Sequence, residues 1–125
     1  MRIYCDIDGT LTNKGGRSGE PVQKIIDKIK QLIGDGHTII IWSGSGTKYA
    51  QRFCKKHGIK PFCAVGKPQL IIDNMNSMMK RGAHLYPDEF MDIDVKFLTK
   101  EKRKELMQKV EKNKKDHGSG KVIST

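Results

Sequence analysis

Four consecutive apolar residues, Ile39-Ile40-Ile41-Trp42, stand between Thr38 and the turn-forming stretch Ser43-Gly44-Ser45-Gly46. A strand with one wet face alternates in polarity, whereas an unbroken run is buried on both sides, as inside a parallel sheet. Parallel neighbours need a crossover of about a dozen residues, usually a helix. Segments suited to that task lie on both sides. Val22, Ile25, Ile26, Ile29, Leu32 and Ile33 recur at helical spacing, with Pro21 suited to the first turn and Gly34 to the stop. From Thr47 to His57 a second helix is predicted, with Tyr49, Ala50, Phe53 and Cys54 inward and Gly58 closing it.

The remaining pattern repeats this alternation. Residues 2–5 are β-prone and run into Asp6-Ile7-Asp8-Gly9-Thr10, where Gly and Thr break the strand. Asn13 to Gly19 is polar and glycine-rich, which suits a short flap. Residues 62–65, Leu70-Ile71-Ile72 before Asp73-Asn74, and residues 83–86 read as further strands, with a helix near 75–81. Five strands alternating with helices predict an α/β fold with a mainly parallel five-stranded sheet, right-handed crossovers and helices on both faces. Residues 87–98 fit no single element. Thr99 to Lys115 reads as a helix capped by Thr99, with Leu106, Met107 and Val110 as its apolar stripe, followed by a flexible tail from His117. The expected division is a domain over 1–98 and a basic helical extension over 99–125.

A chain of 125 residues allows one compact domain, and 36% hydrophobic with 30% charged residues suits a single modest core. No apolar run approaches a membrane span, and Asp6 and Asp8 lie where a secretion signal would need its hydrophobic stretch, so a cytoplasmic protein is expected. Cys5, Cys54 and Cys63 are scattered, with no metal-ligand or disulfide spacing, and read as reduced. The net charge is +10, of which residues 96–125 carry +6.

The chemistry-bearing residues share one trait: Asp6 with Asp8, Ser43, Lys67 and Asp73 each stand at or just beyond an expected strand end. In an open α/β sheet such positions fall on one rim, where ligands bind. Asp6 and Asp8 would face opposite sides of a continuing strand, but the Gly9-Thr10 bend lets both enter one pocket. Asp6 is the candidate nucleophile on phosphorus. Attack by a carboxylate on a phosphate faces like-charge repulsion, which a hard, oxygen-bound cation such as magnesium relieves. Asp6 and Asp73 are the expected side-chain metal ligands, with Asp8 contributing its backbone carbonyl. The Asp8 carboxyl would protonate the leaving oxygen and later deprotonate water. Ser43 and Gly44 would hold phosphate oxygens, and Lys67 would both bind phosphate and neutralise the transferring group.

These motifs resemble those of the haloacid dehalogenase-like phosphohydrolases. Asp6-Ile7-Asp8-Gly9-Thr10-Leu11-Thr12 is similar to the first motif of that superfamily, Ser43 after Ile39-Ile40-Ile41-Trp42 to the second, Lys67 to the third, and Ile71-Ile72-Asp73 to the fourth. The resemblance covers residues 1–86. It implies a Rossmann-like three-layer sandwich, magnesium dependence and phosphate monoester hydrolysis through an aspartyl-phosphate. Trp42-Ser43-Gly44-Ser45-Gly46 and Gly66-Lys67-Pro68 are similar to small capless members from bacteriophages and bacteria. The fourth motif departs from the pattern, since Asn74 stands where a second acid is common; the expected consequence is reduced charge at the site.

Relatives acting on small metabolites often carry a cap domain, and neither gap here has room for one. The site is therefore expected to be open to a bulky phosphorylated substrate or completed by another subunit of a homo-oligomer. The basic carboxyl region suggests nucleic acid as an alternative partner, through phosphates without base specificity. Interleaved Glu, and no aromatic interleaving for base stacking, favour a solvated surface instead. The alternative function is a catalytically weak binding module for nucleic acid or protein, or a polynucleotide end phosphatase. Asp92-Ile93-Asp94 lacks the Gly-Thr bend and reads as surface.

Overall fold

The computed structural model describes residues 1–74 and 82–108. The chain forms two compact units, Met1–Ile71 and Ile72–Thr125. The helix expected near 75–81, the end of the helix expected to reach Lys115, and the tail from His117 lie outside the described residues.

The first unit is built on the Ile39–Trp42 run. It lies within β2 (Thr38–Ser43), the middle strand of a parallel sheet between β1 (Arg2–Asp6) and β3 (Cys63–Gly66). The register pairs Asp6 with Trp42 and Ser43 with Gly66, so the three strands end level with one another. Ile39, Ile40 and Ile41 are all buried, as an interior strand requires. Each such side chain contributes about 1.5–3 kcal/mol on burial, so this tripeptide rivals the net stability of a small domain.

Helix α1 (Gln23–Gly34) connects β1 to β2, and α2 (Thr47–His57) connects β2 to β3. The buried stripe of α1 is Ile25, Ile26, Ile29 and Leu32, and that of α2 is Ala50, Phe53 and Cys54, as the spacing predicts; Val22, Ile33 and Tyr49, expected inward as well, are only partly buried because they stand at the edges of those stripes. Pro21 differs from expectation: it pairs with Thr12 in an isolated antiparallel bridge, and α1 begins two residues later. A proline lacks an N–H but keeps its carbonyl, and so suits a short bridge as well as a first turn. Gly58 ends α2 in the left-handed conformation, as expected. The strand order is sequential, with one helix in each crossover; right-handed crossovers are the rule for such units.

Among the described residues the sheet has three strands, and the expected strands at 70–72 and 83–86 do not form. Leu70, Ile71 and Ile72 are exposed, at 78%, 54% and 91%. An apolar triplet becomes a strand only where a ladder and a burying face receive it, and Pro68 just upstream removes a ladder donor.

In the second unit, α3 (Pro87–Asp92) opens with a proline, and the Glu89 carboxylate accepts from the Tyr86 amide. A 3₁₀ turn follows at Val95–Phe97, where the Asp94 carboxylate accepts from the Lys96 amide and Val95 is buried. Residues 100–108 are helical, and Thr99 Oγ1 accepts from the Lys102 amide as the expected cap. Asp92 and Asp94 are exposed, in keeping with a surface role.

Candidate active site

At the carboxyl end of β1 the chain turns sharply. The Ile7 carbonyl accepts from the amides of Thr10, Leu11 and Thr12, and the Gly9 amide donates to the buried Thr12 Oγ1 at 3.1 Å. Gly9 sits at φ 81°, a conformation that a β-carbon disfavours. The turn brings the Asp8 carboxylate to the end of β2, as the Gly-Thr bend predicts. There Ser43 and Ser45 donate to Asp8 Oδ2 at 3.3 and 3.2 Å, and Tyr49 donates to Oδ1 at 2.6 Å.

Lys67 is placed by backbone bonds. Its amide donates to the Ser43 carbonyl at 2.9 Å, extending the β2–β3 ladder by one residue, and the Gly66 amide donates to Thr47 Oγ1 at 2.8 Å. A β-carbon at position 66 would lie 3.2 Å from Gly46 Cα and from the Thr47 amide nitrogen, so glycine permits the close approach of β3 to the start of α2. From this anchor the Lys67 ammonium reaches 3.4 Å from Asp6 Oδ1 and lies 5.7 Å from the centre of the Trp42 ring.

Asp6, Asp8, Ser43, Gly44 and Lys67 thus share one rim. Gly44 is exposed, with open space where a β-carbon would project. Ser43 is wholly buried: its hydroxyl donates to Asp8 and accepts from the Ser45 amide at 3.0 Å. Helix α2 starts at this turn with no side-chain cap, which leaves its first amides available to an anion. Asp73 belongs to the second unit and is exposed.

Three residues that the sequence reading gave no role complete the site. Ser45 and Tyr49 donate to Asp8, and Arg17 from the flap donates from Nη2 to the Ser45 carbonyl at 2.8 Å while its guanidinium lies 5.2 Å from the Tyr49 ring centre. Tyr49 occupies a helical position that reads as core. Its place in the first turn after a Ser-Gly-Ser-Gly stretch is the available sign that its hydroxyl would reach the rim. The flap itself is closed at its base, where Asn13 and Glu20 exchange bonds next to the Thr12–Pro21 bridge.

Oxygen donors of this kind suit magnesium, which binds through one or two carboxylates and keeps several waters. The Asp6 carboxylate is about one third exposed at the rim, and the Asp8 carboxylate accepts from three hydroxyls. Among the described residues no three His, Cys, Asp or Glu side chains gather in a metal-binding group. Cys5 and Cys54 are poor competing nucleophiles. Burial, with Asp6 and Cys54 nearby, pushes the Cys5 thiol up to about 12, and burial pushes Cys54 up to about 11.

A parallel sheet joined by helical crossovers, with carboxylates, a serine turn and a lysine along its carboxyl rim, is a Rossmann-like α/β arrangement with its site at the strand ends. The chain belongs to the haloacid dehalogenase-like hydrolase family, whose model matches residues 3–119. No curated protein and no solved structure gives a significant match. No helix among the described residues is long and apolar enough to cross a membrane.

Proposed function

We propose that this protein is a magnesium-dependent phosphatase that hydrolyses phosphate monoesters through an aspartyl-phosphate. The observation that carries this reading is the Lys67 ammonium 3.4 Å from Asp6 Oδ1, on the rim where Asp8 is bonded to Ser43. Asp6 attacks phosphorus, forming the carboxylate O–P bond as the bond from phosphorus to the ester oxygen breaks. The Asp8 carboxyl delivers its proton to that departing oxygen. Water then attacks the phospho-Asp6, the Asp8 carboxylate takes the water proton, and phosphate leaves with Asp6 restored.

Lys67 offsets the negative charge shared by Asp6 and the incoming phosphate, and the turn at Ser43-Gly44 with the first amides of α2 receives the phosphoryl oxygens. Magnesium, held by the Asp6 carboxylate and the Asp8 carbonyl, supplies further charge neutralisation when bound. The metal role expected of Asp73 from the sequence is tested by Asp73→Asn, for which a higher magnesium requirement is expected.

The decisive experiment is hydrolysis of 4-nitrophenyl phosphate by the full chain. Phosphate release that requires magnesium, is inhibited by calcium and is lost in Asp6→Asn supports the reading. Turnover without magnesium, or turnover that survives Asp6→Asn, overturns it.

A further inference from the structure

The two oxygens of Asp8 are held unequally. Oδ1 accepts from the Tyr49 hydroxyl at 2.6 Å, at the short end of the range for such bonds, whereas Oδ2 accepts from Ser43 and Ser45 at 3.3 and 3.2 Å, beyond it. The Tyr49 ring is itself steadied by Arg17, whose guanidinium lies 5.2 Å from the ring centre and is bonded to the Ser45 carbonyl. Ala50, Phe53 and Cys54 supply the buried stripe of α2, so the Tyr49 hydroxyl is not required for packing.

We infer that Tyr49 is a positioning residue: its hydroxyl clamps one oxygen of Asp8 and reserves Oδ2 as the oxygen that gives and takes the proton. This rests on the phosphomonoesterase reading and deepens it. A proton on Oδ2 leaves the Tyr49 bond to Oδ1 intact, so the carboxyl keeps its orientation in both protonation states. When Oδ2 carries the proton, the two serine hydroxyls can rotate away from donating to it, and that proton is left to point at the departing oxygen. The flap joins the same device through Arg17.

The test compares the full-length protein with Tyr49→Phe on two esters. An alkyl phosphate needs its departing oxygen protonated; 4-nitrophenyl phosphate, with a stable phenolate leaving group, needs little help. The measured quantity is kcat/KM, which covers steps up to leaving-group departure. A misplaced general acid should lower the alkyl value about 10- to 100-fold while the aryl value falls less than about threefold. Equal losses on the two esters, or no loss on the alkyl ester, would overturn the assignment. A crystal structure of Tyr49→Phe supplies a readout independent of turnover: the Asp8 carboxylate is expected to rotate or adopt several orientations, and an unchanged single orientation would count against the clamp. Should the wild-type protein cleave neither ester, the phosphatase reading fails, and the crystallographic comparison still decides whether Tyr49 positions Asp8.

Discussion

The two halves of the rim hold their carboxylates by different means. Asp6 faces a full positive charge, with Lys67 Nζ 3.4 Å away and both side chains partly exposed. Asp8, two residues on, meets three neutral hydroxyls from the β2–α2 junction. An ammonium offsets charge and tolerates loose geometry, because Coulomb attraction falls slowly with distance. Hydroxyl bonds add no net charge but are directional, so they orient. The difference matches the chemistry proposed for each: a nucleophile that must meet an anion, and a proton carrier that must point correctly.

The largest expected effect is on the charged half. Asp6→Asn should lower kcat by at least about 10³-fold, because it removes the attacking oxygen itself. A rapid-quench search for a phosphorylated protein would check this, since a phosphoenzyme formed by the variant would show that another residue is attacked. Lys67→Ala follows, with an expected loss of about 10²- to 10³-fold in kcat; restoration by Lys67→Arg would indicate that charge, more than shape, is what this half supplies. At the seam between the halves, Gly66→Ala forces β3 away from the start of α2, and a destabilisation of about 1–3 kcal/mol is expected in urea unfolding. In the neutral half, Ser45→Ala removes one long bond and should cost about two- to tenfold in kcat. A loss as large as that of Lys67→Ala would erase the distinction.

The smallest effect is expected at the far end of α2. Burial, with help from Lys56 and Lys30, lowers the His57 pKa from 6.5, so the unfolded chain binds its proton more readily than the folded one. Stability should therefore fall slightly as pH drops through 6.5 and level off below the lowered value. Urea midpoints at pH 7.5 and 5.5 for wild type and His57→Gln measure this; equal pH dependence in the two proteins would refute it.

What the sequence made legible follows from periodicity and turn chemistry. The run Ile39–Trp42 announced a doubly covered strand, the stripes of α1 and α2 stood at their spacings, and Asp6, Asp8, Ser43, Gly44 and Lys67 share a rim because strand ends in a parallel sheet must. Less legible was anything decided by tertiary contact. Leu70-Ile71-Ile72 carries the composition of a strand, but composition does not supply a pairing partner. Ser45, Tyr49 and Arg17 were missed because each lies in a segment with a sufficient local explanation: a turn, a helix face and a polar flap. The meeting of Ser45 and Tyr49 at Asp8, with Arg17 behind them, depends on the crossover that lays the start of α2 beside the first turn.

The Lys67 amide is bonded to the Ser43 carbonyl, while the Ser43 hydroxyl reaches Asp8. Residues far apart in the chain are thereby fastened to a single hinge pin, Ser43, at the tip of the middle strand. The anchor of the ammonium and the proton-carrying acid are thus referred to one residue instead of to the long stretch of backbone that separates them.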